Sequence, residues 1–152
     1  MASAHLYTAS NVTDQSPTGA ANKTIIQLVT GATRKIWVKE IGISFRSVTA
    51  TDVPVLVFLA RQSTAGTASA LSIQPANEGI PAAISTAQDT FTVEPTTGVI
   101  CGGPWEVTPI GGLFVVQWQL GDEPDMAVSS RLALIAVAAA TQTCRAYIKF
   151  NE

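Results

Sequence analysis

The feature that most constrains the fold of this chain is a period-two alternation of apolar and polar residues, which recurs along most of its length. It is clearest in 144–150, where apolar residues at the even positions alternate with Arg145, Tyr147 and Lys149. Successive side chains of a β-strand point to opposite faces of the sheet, so this pattern predicts a strand with one buried face. No segment shows sustained helical periodicity, and the sequence therefore predicts an all-β chain.

About seven or eight short strands are predicted, bounded by turn residues. The clearest segments are 24–29, 35–47, 53–60, 89–94, 113–120, 132–139 and 144–150. Two of them, 53–60 and 132–139, are apolar at successive positions, which predicts strands covered on both faces. The last two are predicted to form a hairpin, whereas 98–112, rich in Gly and Pro, is predicted to form turns. Together these signals favour an antiparallel β-sandwich with a jelly-roll-like topology.

The domain organisation is predicted to be an N-terminal arm, residues 1–23, followed by a single β-sandwich domain, residues 24–152. The arm is small, polar and turn-rich, which is typical of a terminal segment that does not pack. A crossover at 61–90 is rich in Ala, Ser, Thr, Gly and Gln. Because long structureless loops are unusual inside compact domains, this crossover is expected either to hold short strands or to contact something outside the subunit.

Composition limits the partners of this chain. Charged residues are 13% of the total, against roughly 25% in soluble domains, and the mean hydropathy is +0.29. The net charge of −2 argues against nucleic acid, and the longest apolar run, 132–140, is about half of a membrane span. We therefore expect neither nucleic acid nor membrane as partner. Few charges favour a homo-oligomer that covers part of its surface, and the alternative is a monomer kept soluble by Ser, Thr, Gln and Asn.

Residues that could support catalysis or bind zinc are scarce. His5 is the only histidine, and it lies in the predicted arm, where a general base would not be held near its target. Cys101 and Cys144 lie far apart in apolar surroundings, which predicts buried free thiols rather than a zinc site or a disulfide framework. The run 97–103 lacks the Lys-Ser/Thr ending of a phosphate-binding loop. We expect no enzyme activity and no cofactor, and we assign no catalytic, cofactor-binding or metal-binding residue.

Carboxylates and tryptophans leave alternatives open. The acidic loop holds either calcium or only solvated turn residues, and its members are Asp122, Glu123 and Asp125. A glycoside hydrolase needs two facing carboxylates, and the candidates are Glu40, Glu94 and Glu106. An ion pair with Lys39 is the ordinary explanation for Glu40 in its apolar strand. Trp37 and Trp118 are predicted to lie in the core, whereas Trp105, in a Gly/Pro-rich loop, is the predicted exposed contact for a sugar.

Several of these features occur together in a known class of protein. A polar arm precedes the early strand 35–45, then a Thr/Ala-rich crossover, a Gly-Pro-Trp-Glu-Val turn at 103–107 and a closing hairpin that ends at 146–150. The combination resembles the capsid decoration, or cement, proteins of tailed bacteriophages. The resemblance covers most of the chain but carries over no functional residue.

The resemblance implies a function and a location. It implies a jelly-roll-like homotrimer that is made in the host cytoplasm, binds the major capsid protein at the capsid surface of the virion and stabilises the shell without catalysis. The alternative is a receptor-binding or carbohydrate-binding module of a phage fibre or tail, which would share the sandwich fold. A small capsid protein or a head–tail connector is a further alternative.

Overall fold

The computed structural model describes residues 4–49 and 53–152, and these residues form strands and no helix. The first three residues of the predicted arm lie outside the described residues. The strands are β1 Leu6–Ser10, β2 Lys23–Val29, β3 Ile36–Phe45, β4 Val55–Gln62, β5 Thr67–Leu71, β6 Ile73–Pro75, β7 Thr86–Val93, β8 Thr97–Val107, β9 Leu113–Gln117, β10 Asp125–Met126, β11 Arg131–Val137 and β12 Cys144–Asn151.

The strands form two antiparallel sheets, which confirms the predicted all-β sandwich. The first sheet has the order β10-β3-β12-β1-β6, with β9 also paired to β3. The second sheet has the order β5-β7-β2-β11-β4-β8. One apolar cluster joins the inner faces, with Ile41 and Ile148 of the first sheet and Leu28 and Leu134 of the second among its fully buried members. The chain crosses repeatedly from one sheet to the other, so both sheets contribute to the same core.

The second sheet is buried on both faces at its centre, as the apolar runs predict. A smaller apolar cluster on the face away from the main core contains Phe58, Ala60, Ala133 and Ile135. These residues alternate along β4 and β11 with residues of the main core. Such strands read as continuous apolar runs because neither face is exposed to water.

Polar side chains and a connecting segment lie over this outer face. Gln62 Nε2 of β4 donates a hydrogen bond to Thr24 Oγ1 of β2 at 2.9 Å, across the intervening β11. The short link between β7 and β8 follows the same course. Glu94 accepts from the backbone N–H of Thr24 at 2.8 Å, and Thr96 O accepts from Ser63 N at 3.1 Å. The link therefore passes from β2 to the end of β4 over the outer face.

The N-terminal segment is packed rather than a free arm, which differs from the sequence-based expectation. β1 lies between β12 and β6 in the first sheet. Tyr7 and Ala9 are fully buried, and Asn11 and Gln15 are also buried in the region that follows. The alternation of buried and more exposed residues in β1 spans only five residues. Because the surrounding segment is rich in Ser, Thr and Gly, this short pattern is not recognised from composition.

Two further predictions from sequence were wrong. Residues 98–112 are not mainly turns, because β8 runs through Thr97–Val107 as an edge strand whose register against β4 shifts several times. Such irregularity at an edge accommodates Gly102, Gly103 and Pro104. β11 and β12 do not form a hairpin but lie in different sheets. β11 is buried on both faces and lies inside the second sheet, between β2 and β4. β12 has one face that is more exposed to solvent, and it lies in the first sheet.

The crossover at 61–90 follows one of its two expected forms. It contains the short strands β5 and β6, and it ends in β7. β5 pairs with β7 in the second sheet, and β6 pairs with β1 in the first. The crossover therefore links the two sheets along one side of the sandwich.

Candidate functional site

A compact polar arrangement lies on the solvent-facing side of the first sheet, where β9, β3 and β12 run side by side. Glu40 of β3 pairs in register with Gln117 of β9 and with Lys149 of β12. Tyr147 stands two residues before Lys149, on the same face of β12. We call Glu40, Gln117, Tyr147 and Lys149 the Glu40 cluster.

Three donors surround the Glu40 carboxylate. The Tyr147 hydroxyl donates to Oε1 at 2.5 Å, Lys149 Nζ lies 2.9 Å from the same oxygen, and Gln117 Nε2 donates to Oε2. Only 9% of Glu40 is exposed. The hydrogen bonds from Tyr147 and then Lys149 outweigh the effect of burial and lower the pKa of Glu40 to about 2.

The same arrangement shifts the pKa of Tyr147 in the opposite direction. Burial and its hydrogen bond to the Glu40 carboxylate raise the pKa of Tyr147 to about 12. The phenol therefore stays protonated and acts as a donor. Lys149 Nζ also lies 5.3 Å from the centre of the Tyr147 ring, within the range of a cation–π contact.

Gly42 makes room for this arrangement. A Cβ atom at Gly42 would lie 2.3 Å from Cε1 of the Tyr147 ring. The ring therefore lies against the β3 backbone, and a larger residue at 42 would displace it from Glu40. The alternation of Glu40, Gly42 and Ser44 on the polar face of β3 thus has a steric reason.

A groove of about 430 Å³ lies beside the cluster. Its lining residues are Leu6, Lys39, Glu40, Gln117, Trp118, Lys149 and Asn151. It presents amide and ammonium groups next to an indole. The carboxylate of Glu40 is ionised, and both of its oxygens are held by donors within the chain, so the groove is equipped to bind a polar ligand rather than to transfer protons.

The structure separates the three glutamates that were the candidates for a facing pair of carboxylates. Glu40 lies in the first sheet, Glu106 lies in β8 of the second, and Glu94 follows β7 and contacts Lys23 at 2.9 Å. The expected partner of Glu40 was also wrong. Lys39 is the extra residue where the β3–β12 register shifts, and its ammonium pairs with Glu123 instead.

The acidic loop is divided among separate partners. Glu123 binds Lys39, and Asp125 lies 3.5 Å from Arg61 of β4. The pKa of Glu123 is lowered, chiefly by its hydrogen bond from Lys39. Within 4–49 and 53–152, no group of three or more His, Cys, Asp or Glu residues is placed to hold a metal ion.

The histidine and the cysteines do not belong to the Glu40 cluster and do not line the groove beside it. The half-buried His5 exchanges backbone hydrogen bonds with Glu152. Both cysteines are free, as predicted. Cys144 is fully buried, and burial raises its pKa to about 12, whereas Cys101 is only half-buried.

Two of the three tryptophans are placed differently from expectation. Trp105 is half-buried and packs against Phe114 and Trp118, with ring centres 5.8 and 6.4 Å apart, so its predicted role as an exposed contact is wrong. Trp37, predicted to be core, is 38% exposed. Trp118 packs against the main core and also borders the groove. Sequence reasoning did not identify Tyr147 as a residue of this site. The signal that could have indicated a close neighbour of β3 is Gly42, because a glycine inside a strand often marks a close approach.

A second groove, of about 570 Å³, lies at the other side of the sandwich between β1 and the β5–β7 pair. Seryl and threonyl hydroxyls line much of it, together with Asp89. The carboxylate of Asp89 is already engaged, because it accepts from Asn11 Nδ2 at 2.9 Å and from Thr90 Oγ1 at 3.1 Å. Asp89 therefore serves the fold, by fixing β7 to the segment that follows β1.

Comparison with known proteins adds no identity. The chain matches no protein-family model, no curated protein and no solved structure. Among the described residues, none forms a helix long and apolar enough to cross a membrane.

Proposed function

We propose that this chain is a non-enzymatic structural protein of a virus particle, a capsid decoration protein that binds the assembled major capsid protein as a homo-oligomer. The observation that carries the proposal is the apolar surface of a chain with few charges. In the described ranges, thirteen large apolar side chains are at least 38% exposed. Val99 lies in β8, whereas Val12 follows β1 and Leu120 follows β9, and these three side chains are 73%, 76% and 92% exposed. Together with a charged fraction of only 13%, this exposure supports a protein that works while covered by other protein, because the centres of protein interfaces are depleted in charged residues.

The state of the carboxylates supports a structural role. The pKa values of Asp14, Glu40 and Glu123 are lowered, each chiefly by a hydrogen bond from a neighbouring side chain. Asp14 binds both Arg46 and Arg145, at 2.9 and 2.6 Å. A general acid needs a raised pKa near the working pH, whereas these groups are ionised and serve as acceptors within the fold.

The proposal is tested on particles of the virus whose genome encodes the chain. We expect a gold-labelled antibody against the chain to cover the head densely in electron micrographs. We also expect the purified chain to sediment with empty shells assembled from the major capsid protein of that virus. Particles without label, together with shells that leave the chain in the supernatant, would contradict the proposal.

A few gold particles at the tail would favour the second candidate, a receptor-binding or carbohydrate-binding module of a fibre or tail. The groove beside the Glu40 cluster is the observation that favours it, because Asn151 and Lys149 offer donors next to the Trp118 indole. On a glycan array we would then expect Asn151→Ala to lose binding. Gln119→Ala, an exposed amide that is not among the groove residues, is the matched control and should bind as the unaltered chain does.

A further inference from the structure

The described strands leave several sheet edges without a partner, and all but one carry features that discourage pairing. β10 and β6 have only two and three residues, and β6 ends in Pro75. β5 and β8 have register shifts against their neighbours, and β8 also contains Pro104. Natural proteins protect edges in these ways, with short strands, proline and irregular register.

β9 has none of these protections. Its five residues, Leu-Phe-Val-Val-Gln, include no charge, no proline and no glycine, and its register against β3 is regular. No residue of β9 is fully buried, and Leu113 and Val115 are exposed. A regular, uncharged and apolar edge of this kind is a template for another strand.

The backbone of β9 has unused hydrogen-bonding groups on its outer side. Trp118 N, just after β9, donates to Lys39 O at 3.1 Å, so the N–H of Trp118 points toward β3. Because this direction alternates along a strand, Leu113, Val115 and Gln117 direct their N–H and C=O groups away from β3. Across the described ranges, no backbone hydrogen bond joins these outward-pointing groups to a segment on the side of β9 away from β3.

We propose that β9 pairs antiparallel with β9 of a second copy of this chain, so that two first sheets become one continuous sheet. A two-fold axis through Val115 makes the strand complementary to itself. Leu113 then lies opposite Gln117 of the second copy, and no charges meet within the paired strands. The same register brings the exposed Leu120 toward Ile110 of the second copy, which is 43% exposed.

The symmetry of this pairing fixes its product. Antiparallel pairing of two identical strands is isologous and closes as a dimer, whereas the resemblance to decoration proteins implies a trimer. A stable interface covers about 800 Å² on each partner, roughly a tenth of the 7553 Å² surface. The five residues of β9 supply only part of that area, and the apolar flanks at Leu120 and Ile110 supply more of it. The inference rests on the proposed function only for the idea that copies associate.

Native mass by light scattering tests the pairing. We expect the unaltered chain to have twice the 15.9 kDa chain mass. Val115→Lys places two ammonium groups at the two-fold axis and should give a folded monomer with an unchanged circular dichroism spectrum. Val99→Lys makes the same change on the exposed edge strand β8 and should remain a dimer. An unaltered chain that is a monomer or a trimer would overturn the proposal, as would a dimer of Val115→Lys.

Cross-linking gives a second test that does not depend on how a lysine is tolerated. In a Cys101→Ser background, Val115→Cys should be joined to a second copy by a short bis-maleimide, because the two introduced thiols face each other. Val99→Cys should stay unlinked, and equal linking of both variants would contradict the pairing. A monomer that decorates shells would refute the edge pairing alone, whereas a dimer that binds no shell would refute the capsid role alone.

Discussion

At the scale of single residues, Glu40 shows how an ionised carboxylate is kept in a largely buried position. Removing a carboxylate from water is costly unless hydrogen bonds and an opposite charge replace the water. Glu40 receives hydrogen bonds from Tyr147, Gln117 and Lys149, and the last of these also supplies the charge. The lowered pKa of Glu40 and the raised pKa of Tyr147 are two consequences of the same hydrogen bond.

Glu40 should make the stability of the fold sensitive to acid. The pKa of Glu40 is about 2 in the folded chain, against 4.5 for the unfolded chain. The stabilisation by this carboxylate is therefore complete above pH 4.5 and is lost as the pH falls toward 2. We expect Glu40→Gln to lower the free energy of unfolding by about 1–3 kcal/mol at pH 7, because the donors lose a charged acceptor. The measurement is urea unfolding at several pH values between 2 and 7.

The control for this prediction is Glu106→Gln. Glu106 is exposed on β8, so its replacement should change stability by no more than about 0.5 kcal/mol at any pH. The difference between Glu40→Gln and the unaltered chain should shrink as the pH approaches 2. A difference that stays constant across this range would contradict the role assigned to the Glu40 charge.

The sequence indicates the unusual residue but not its partners. Glu40 stands out in an apolar strand, and its neighbour Lys39 is the obvious partner by proximity in the chain. The actual partner, Lys149, is fixed by the β3–β12 register, and one register shift makes Lys39 the extra residue. Alternation tells which face a side chain occupies, but it does not tell which residue of another strand lies beside it.

At the scale of elements, β1 is the strand that composition conceals most. Its alternation is short, yet it occupies an inner position of the first sheet between β12 and β6. The Tyr7 ring stacks on Phe150 with centres 5.8 Å apart, and its hydroxyl donates to Pro81 O at 2.9 Å. One fully buried aromatic residue thus links β1, β12 and the crossover.

Replacing Tyr7 tests whether this segment is part of the fold. We expect Tyr7→Ala to lower the free energy of unfolding by about 3–5 kcal/mol, because it removes a fully buried aromatic ring. Tyr7→Phe should cost about 1 kcal/mol, since only the hydrogen bond to Pro81 is lost. Ser10→Ala, at an exposed position of β1, is the control in urea unfolding. Equal midpoints for Tyr7→Ala and Ser10→Ala would contradict the packing of β1.

The elements that the sequence predicts well are those whose burial is strong and regular. β2, β3, β4, β11 and β12 are anticipated because many consecutive residues follow one pattern. The sheet to which each strand belongs is not encoded in the same way. β11 and β12 are close in the chain, and their separation depends on β2 and β4 flanking β11 in the second sheet. That arrangement depends on contacts between residues far apart in sequence.

At the scale of the whole molecule, the two sheets share one core, and the chain repeatedly crosses between them. Neither sheet could keep its inner face out of water without the other. Ile41 and Ile148 of one sheet and Leu28 and Leu134 of the other belong to the same buried cluster. Such an arrangement favours unfolding of both sheets in one step.

We therefore expect a single cooperative transition in urea. Tryptophan fluorescence reports on both sheets, because Trp37 lies in β3 and Trp105 in β8. Its midpoint should coincide with that of the far-ultraviolet circular dichroism signal, which reports the strands as a whole. Trp37→Phe leaves fewer reporters in the first sheet and should not shift the fluorescence midpoint relative to circular dichroism. Two separate transitions would contradict a shared core.

The burial of Cys144 has a consequence for observing the motions of the first sheet. Its side chain belongs to the main core, its backbone pairs with β3 and with the segment after β1, and its raised pKa leaves almost no thiolate at neutral pH. A reagent that modifies thiols therefore reacts with Cys144 only during moments when β12 opens. With Cys101 replaced by serine, the rate at which the chain gains one label would measure how often this inner strand leaves its neighbours in the native protein.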